Sequence, residues 1–103
     1  MSMTIEVPDG YETLGAVLQL AIDQAAKGKG ADRHASGEPF DQQKICRISR
    51  AVGVGFALGQ AEKKIEESQR LPPDAGLREL LGAINYTAAG YIVVSEKRPL
   101  IKR

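Results

Sequence analysis

The sequence predicts an all-α fold: a long antiparallel helical hairpin with a shorter N-terminal helix packed at its end. Three observations carry this. Apolar residues recur at steps of three and four in three separate segments, the pattern of a helix with one buried face. The strongest breaks, a glycine-rich stretch at 28–41 and the pair Pro72–Pro73, divide the chain into those same segments. The one extended-looking run, MTIEV at 3–7, is too short to found a sheet.

The first helix is expected over about 11–27. Asp9 and Glu12 have the spacing of a capping box, in which a capping side chain and the third helical residue satisfy each other's backbone donors. Leu14, Val17, Leu18, Ala21, Ile22 and Ala25 then form one apolar face. Gly28 and Gly30 end the helix, and Lys27 places a cation in its last turn, where the helix terminus is negative. Residues 28–41, GKGADRHASGEPFD, read as a loop. It is long for a compact helical domain, and long loops are often functional.

The second helix is expected over 42–71, with Ile45, Ile48, Val52, Phe56 and Ile65 among its apolar positions. Gly53, Gly55 and Gly59 lie inside it, and each weakens an isolated helix by about 1 kcal/mol relative to alanine. Gly55 and Gly59 share a face, which points to close crossing by another helix. A bend or break near Gly53 and Gly55 is the competing reading. Pro72 and Pro73 stop the helix. Asp74 is placed to cap a third helix over 75–94, whose stripe is Leu77, Leu80, Leu81, Ile84, Ala88, Tyr91 and Ile92. The short linker makes these two long helices antiparallel neighbours. A tail at 96–103, EKRPLIKR, carries four cations.

Composition narrows the function classes. At 103 residues the chain is one domain, 1–103, and with 43% apolar and 26% charged residues it is globular rather than disordered. Fourteen basic residues against thirteen acidic ones leave a formal charge of +1, a poor basis for gripping duplex nucleic acid. No apolar run is long enough to span a membrane, and the start lacks a leader pattern, so a cytosolic compartment is expected. Tryptophan is absent and only two phenylalanines are present, so the core is modest and burial against further copies would add to it.

Catalytic motifs are scarce. His34 is the only histidine and Cys46 the only cysteine, which excludes a disulfide within the chain and a multi-histidine or multi-cysteine metal site. Glu62, Glu66, Glu67 and Glu79 could hold a divalent metal across two helices, as in a helical nucleotide hydrolase. Lys63, Lys64 and Arg70 alternate with them, so a solvated face laced with pairs such as Lys63–Glu67 and Glu66–Arg70 is the stronger reading. Cys46 lies beside Lys44 and Arg47, which favour a thiolate, but also between Ile45 and Ile48, which favour an inert buried thiol.

A cationic set stands out more. Lys27, Lys29, Arg33 and His34 surround Gly28 and Gly30, and such glycines let backbone N–H groups turn toward an anion. Lys44, Arg47 and Arg50 follow at the start of the second helix, which itself favours an anion. His34 is equally suited to ordering its own loop. Tyr11, at the first turn of the first helix, can pack at the edge of the apolar face or stack on a base, an interaction worth about 1–3 kcal/mol. One straight helix holds Tyr11 about 24 Å from Lys27, too far for both to clasp one small ligand, although two antiparallel copies would bring them together.

The segments YETLGAVLQLAIDQAAKGKGADRHA (11–35), GEPFDQQKICRISRAVGVGFALGQAEKKIEE (37–67) and ELLGAINYTAAGYIVV (79–94) resemble the phage anti-CBASS family of cyclic-oligonucleotide sponges, whose hairpin domain is shared with a phage anti-Thoeris sponge. YETLG, GKGxxRHA, GQAxKK and ELLGAIxY carry the likeness, which spans nearly the whole chain. The resemblance implies an all-helical homohexamer without catalysis or cofactor, acting in the host cytoplasm. It implies capture of cyclic dinucleotides such as 3′,3′-cGAMP at sites shared between subunits, and of cyclic trinucleotides in separate pockets. Tyr11 matches the family's base-stacking aromatic. Lys27 matches the lysine that ends that helix and reaches phosphate from a neighbouring subunit. For the second pocket the resemblance points by segment to the 28–36 loop, with Gly28, Lys29, Arg33 and His34, and to Lys64. The Pro72–Pro73 linker and the basic tail depart from the pattern.

Overall fold

The computed structural model describes residues 6–27 and 37–97. Among them are four α-helices and one 3₁₀ turn, with no strand: α1 Glu12–Lys27, the turn Phe40–Gln42, α2 Lys44–Val52, α3 Gly55–Ser68 and α4 Pro73–Glu96. The all-helical class read from the sequence holds. No described helix is long and apolar enough to cross a membrane.

Helix α1 opens where it is expected. Its entry differs in detail, because Glu12 reaches back to the N–H of Gly10 (3.1 Å) rather than to Asp9. Gly10 has φ +90°, a conformation that favours glycine, and the Tyr11 carbonyl accepts the first helical bond, from Gly15. Val7 folds back over α1. A Cβ on Gly15 would lie 2.7 Å from Val7 Cγ1.

The single helix expected over 42–71 is two helices. Gly53 has φ +108°, and its N–H closes α2 on the Ser49 carbonyl (2.9 Å) while its carbonyl accepts from Phe56 (3.2 Å). The chain therefore turns at Gly53 and starts again as α3, the outcome in which the glycines break the helix. The close crossing expected at Gly55 and Gly59 is not made within the chain, since a Cβ at either would meet nothing within 4 Å. The close approaches are at other glycines. A Cβ on Gly76 would stand 2.7 Å from the Ser68 carbonyl oxygen, one on Gly82 2.9 Å from Lys64 Cδ, and one on Gly90 2.7 Å from Leu58 Cδ2. These three fix α3 and α4 as the antiparallel hairpin. Helix α4 begins two residues before the expected 75, with Pro73 at its first position, where a missing N–H costs nothing. Asp74 lies in that first turn and does not cap.

The interior is built from small residues. Cys46, Ala57, Ala89 and Val93 form the buried cluster, with Phe40, Ile45, Tyr86 and Ile92 packed against it. Ala21, Ala61 and Ala83 are buried as well. Much of each predicted apolar stripe is instead on the surface: Leu14, Val17 and Leu18 of α1, and Leu77, Leu80 and Tyr91 of α4. Helix α1 lies antiparallel to α4 and is tied to it at its C-terminal half, where Asn85 donates to the Ala21 carbonyl (3.0 Å) and Gln24 to the Arg78 carbonyl (3.1 Å).

The glycine geometry makes opposite predictions for two substitutions. Gly76→Ala drives a methyl into a backbone carbonyl and should lower stability by about 1–3 kcal/mol. Gly59→Ala faces open space on a helix and should raise stability by about 0.5–1 kcal/mol. Urea unfolding midpoints read both. Equal shifts for the two variants would mean that the hairpin contact does not run through Gly76.

Candidate functional site

Helix α1 presents two of the expected binding residues at its two ends. Tyr11 is 55% exposed at the opening of the helix and Lys27 is exposed in the last turn. Sixteen helical residues between and including Glu12 and Lys27 keep them about 24 Å apart, so one chain does not bring them together. Leu14, Val17, Leu18 and Leu20 lie between them, all exposed. This sets a flat aromatic, an apolar run and a cation along one helix whose C-terminal half is hydrogen-bonded to α4. Gly28, Lys29, Arg33 and His34 lie outside the described residues.

Lys64 is more constrained than a surface lysine. Its ammonium pairs with Glu79 at 3.3 Å and lies 5.9 Å from the ring centroid of Tyr86, and its stem crosses Gly82. Tyr86 is held in turn by an edge contact with Phe56. The arrangement joins α3 to α4 through one side chain, which lies across Gly82. Any anion taken by Lys64 must share it with Glu79.

Two of the other α3 carboxylates are partnered with cations. Glu67 pairs with Lys63 at 4.0 Å and Glu66 with Arg70 at 3.1 Å, the two pairs expected from spacing. Among the described residues no group of three metal-ligating side chains converges. Arg50 of the cationic series on α2 is turned away from any shared anion site. Its Nε and one terminal nitrogen donate to the two Glu96 oxygens at 2.9 and 2.7 Å, and the same terminal nitrogen donates to the Asp41 carbonyl at 2.8 Å. Lys44 and Arg47 remain exposed.

Cys46 is fully buried. Burial pushes its thiol above the ordinary cysteine range; Arg50 opposes this, while Asp41 and Glu96 add to it. A thiol so placed stays protonated and unreactive, the second of the two readings open in the sequence. Beside it, Phe40, Asp41, Tyr91, Ile92, Ser95 and Glu96 line an open cleft of about 390 Å³.

Sequence reasoning missed the contacts that fix these elements. Arg50 and Glu96 are 46 residues apart, and Asn85 and Ala21 are 64 apart. No local pattern connects such pairs. Compared with known proteins, the chain matches no protein-family model, no curated protein and no solved structure.

The Lys64 arrangement predicts a measurable loss. Lys64→Met removes the ion pair and the cation–ring contact while keeping the apolar stem, and should lower stability by about 1 kcal/mol with helical content unchanged. Circular dichroism with urea titration checks this. An unchanged midpoint would show that the pair contributes nothing to holding the hairpin.

Proposed function

We propose that the chain is a non-enzymatic sponge that binds and sequesters cyclic dinucleotide second messengers such as 3′,3′-cGAMP, with cyclic trinucleotides as a second ligand class. In this reading it is a phage protein that acts in the host cytoplasm and blocks CBASS immunity. It works as a homo-oligomer of six copies, a number that comes from the resemblance. The observation that carries the reading is the layout of α1: Tyr11 and Lys27 at opposite ends of a helix, with exposed Leu14, Val17 and Leu18 between them. Two such helices packed antiparallel bury Leu14, Val17 and Leu18 against each other and bring the Tyr11 end of one copy to the Lys27 end of the next. The pair of sites so formed has twofold symmetry, as does a cyclic dinucleotide with its two bases and two phosphates. Tyrosine supplies a face for a base and lysine a charge-assisted contact to phosphate. Neither role calls for a metal, a general base or a nucleophile. The pairing of Glu66, Glu67 and Glu79 with cations favours this over a helical hydrolase using those carboxylates.

Tyr11→Ala and Lys27→Ala should each weaken binding of 3′,3′-cGAMP by about tenfold or more in calorimetry, with the helical spectrum retained. Mixing the two variants under conditions where subunits exchange should restore part of the affinity, because hybrid pockets regain one complete Tyr11–Lys27 pair. A mixture as weak as either variant after demonstrated exchange contradicts the shared pocket. Glu66→Gln should bind as the parent does, and ligand recovered after denaturation should be intact on chromatography. Cleaved ligand would favour the hydrolase.

A further inference from the structure

The turn Phe40–Gln42 and α2 form a unit distinct from the hairpin. Gln43 donates its side-chain amide to the Glu38 carbonyl (2.8 Å), and the Ser49 hydroxyl, though fully buried, donates within α2 to the Ile45 carbonyl (3.2 Å). These bonds hold the unit together and do not tether it to α4. Two things do. Cys46, with Phe40 and Ile45 beside it, packs on Ala89 and Val93 of α4 together with Ala57 of α3, and Arg50 grips both oxygens of Glu96 while also holding the Asp41 carbonyl. At its C-terminal end the unit joins α3 through Gly53, whose φ of +108° makes the turn with no heavy atom within 4 Å of where a Cβ would stand. The turn is therefore set by the glycine's own backbone and not wedged by a neighbour.

We propose that residues 37–52 are a hinged flap, jointed at Gly53 and latched by the Arg50–Glu96 pair, which opens while the α3–α4 hairpin stays folded. Opening uncovers Cys46 on the flap and the Ala89–Val93 surface on α4. Local opening of a short segment held by one small cluster and one ion pair is the ordinary low-energy end of a protein's stability range. The inference does not depend on the chain's ligand.

Cys46 is the only cysteine of the chain, so its labelling rate by a soluble disulfide reagent in native buffer reports opening. Arg50→Gln should speed labelling about tenfold. The sign is informative, because the Arg50 charge favours the thiolate, and removing it by itself slows labelling. Arg50→Lys, which keeps the charge but loses the two-pronged grip, should give a smaller rise and serves if the glutamine variant folds poorly. Gly53→Ala should also speed labelling, since alanine is strained at that φ. Gly55→Ala, two residues on and in open space, should label as the parent does. Amide exchange should remain slow through the Gly55–Ser68 helix in every variant. Unchanged labelling in both Arg50 variants overturns the latch. Parent-like labelling in Gly53→Ala, or faster labelling in Gly55→Ala, overturns the joint. Faster labelling that comes only with faster exchange across α3 means that the whole molecule opens, and overturns the flap.

Discussion

The close approach of α3 and α4 is the constraint on which the rest of the structure depends. Their backbones approach where Ala57, Ala61, Ala83, Ala89 and the glycines at 76, 82 and 90 lie. Side chains this small let two helix backbones come together, and they leave little volume for anything larger between them. The consequence is an unusual division of apolar residues. Val93 and Cys46 are among the largest side chains wholly inside, while Leu14, Leu20, Val52, Leu77 and Tyr91 are exposed. A single such chain buries little apolar area per residue, so the hydrophobic driving force for folding is correspondingly weak. Self-association, as proposed, would add to it. The proposed pairing of α1 helices places Leu14, Val17 and Leu18 where they gain by it.

The same constraint explains what could be read from the sequence. Helical spacing marked which segments are helical, although it ran α2 and α3 together as one helix, because periodicity does not depend on which chain covers a face. It could not say which chain covers it. Leu14, Val17 and Leu18 satisfy the pattern of a core stripe and yet remain exposed, as do Leu77 and Leu80. Glycine was legible as punctuation but not in its role. Gly53, Gly55 and Gly59 look alike in a helical run; only Gly53 takes a positive φ and breaks the helix, and the other two face open space. Of the glycines that do pack, Gly82 and Gly90 lie on or beside the apolar stripe of α4, whereas nothing in the sequence marks Gly76. The ion pairs within a helix, Lys63–Glu67 and Glu66–Arg70, followed from spacing. Lys64–Glu79 and Arg50–Glu96 depend on how the chain folds back, and no local rule reaches them.

For the proposed sponge, the binding residues and the assembly are one question. Tyr11 and Lys27 can serve one ligand only if two copies of α1 lie side by side. That arrangement also removes the exposed leucines and valines from water. Asn85 and Gln24 contribute by holding the C-terminal half of α1 to α4, which keeps Lys27 in a fixed position relative to the hairpin. The latch of the flap engages Arg50, a cation that spacing alone had grouped with the anion-binding set.

Sedimentation equilibrium of the full chain at micromolar concentration tests the central claim most directly. The chain mass is 11.1 kDa. The account predicts one closed species of several copies, six by the resemblance, with monomer undetectable, and a shift to smaller species when Leu18 on α1 is replaced by glutamate. A stable 11.1 kDa monomer across the concentration range would contradict it. So would an assembly indifferent to the charge at position 18, which would place the contact on some face other than α1.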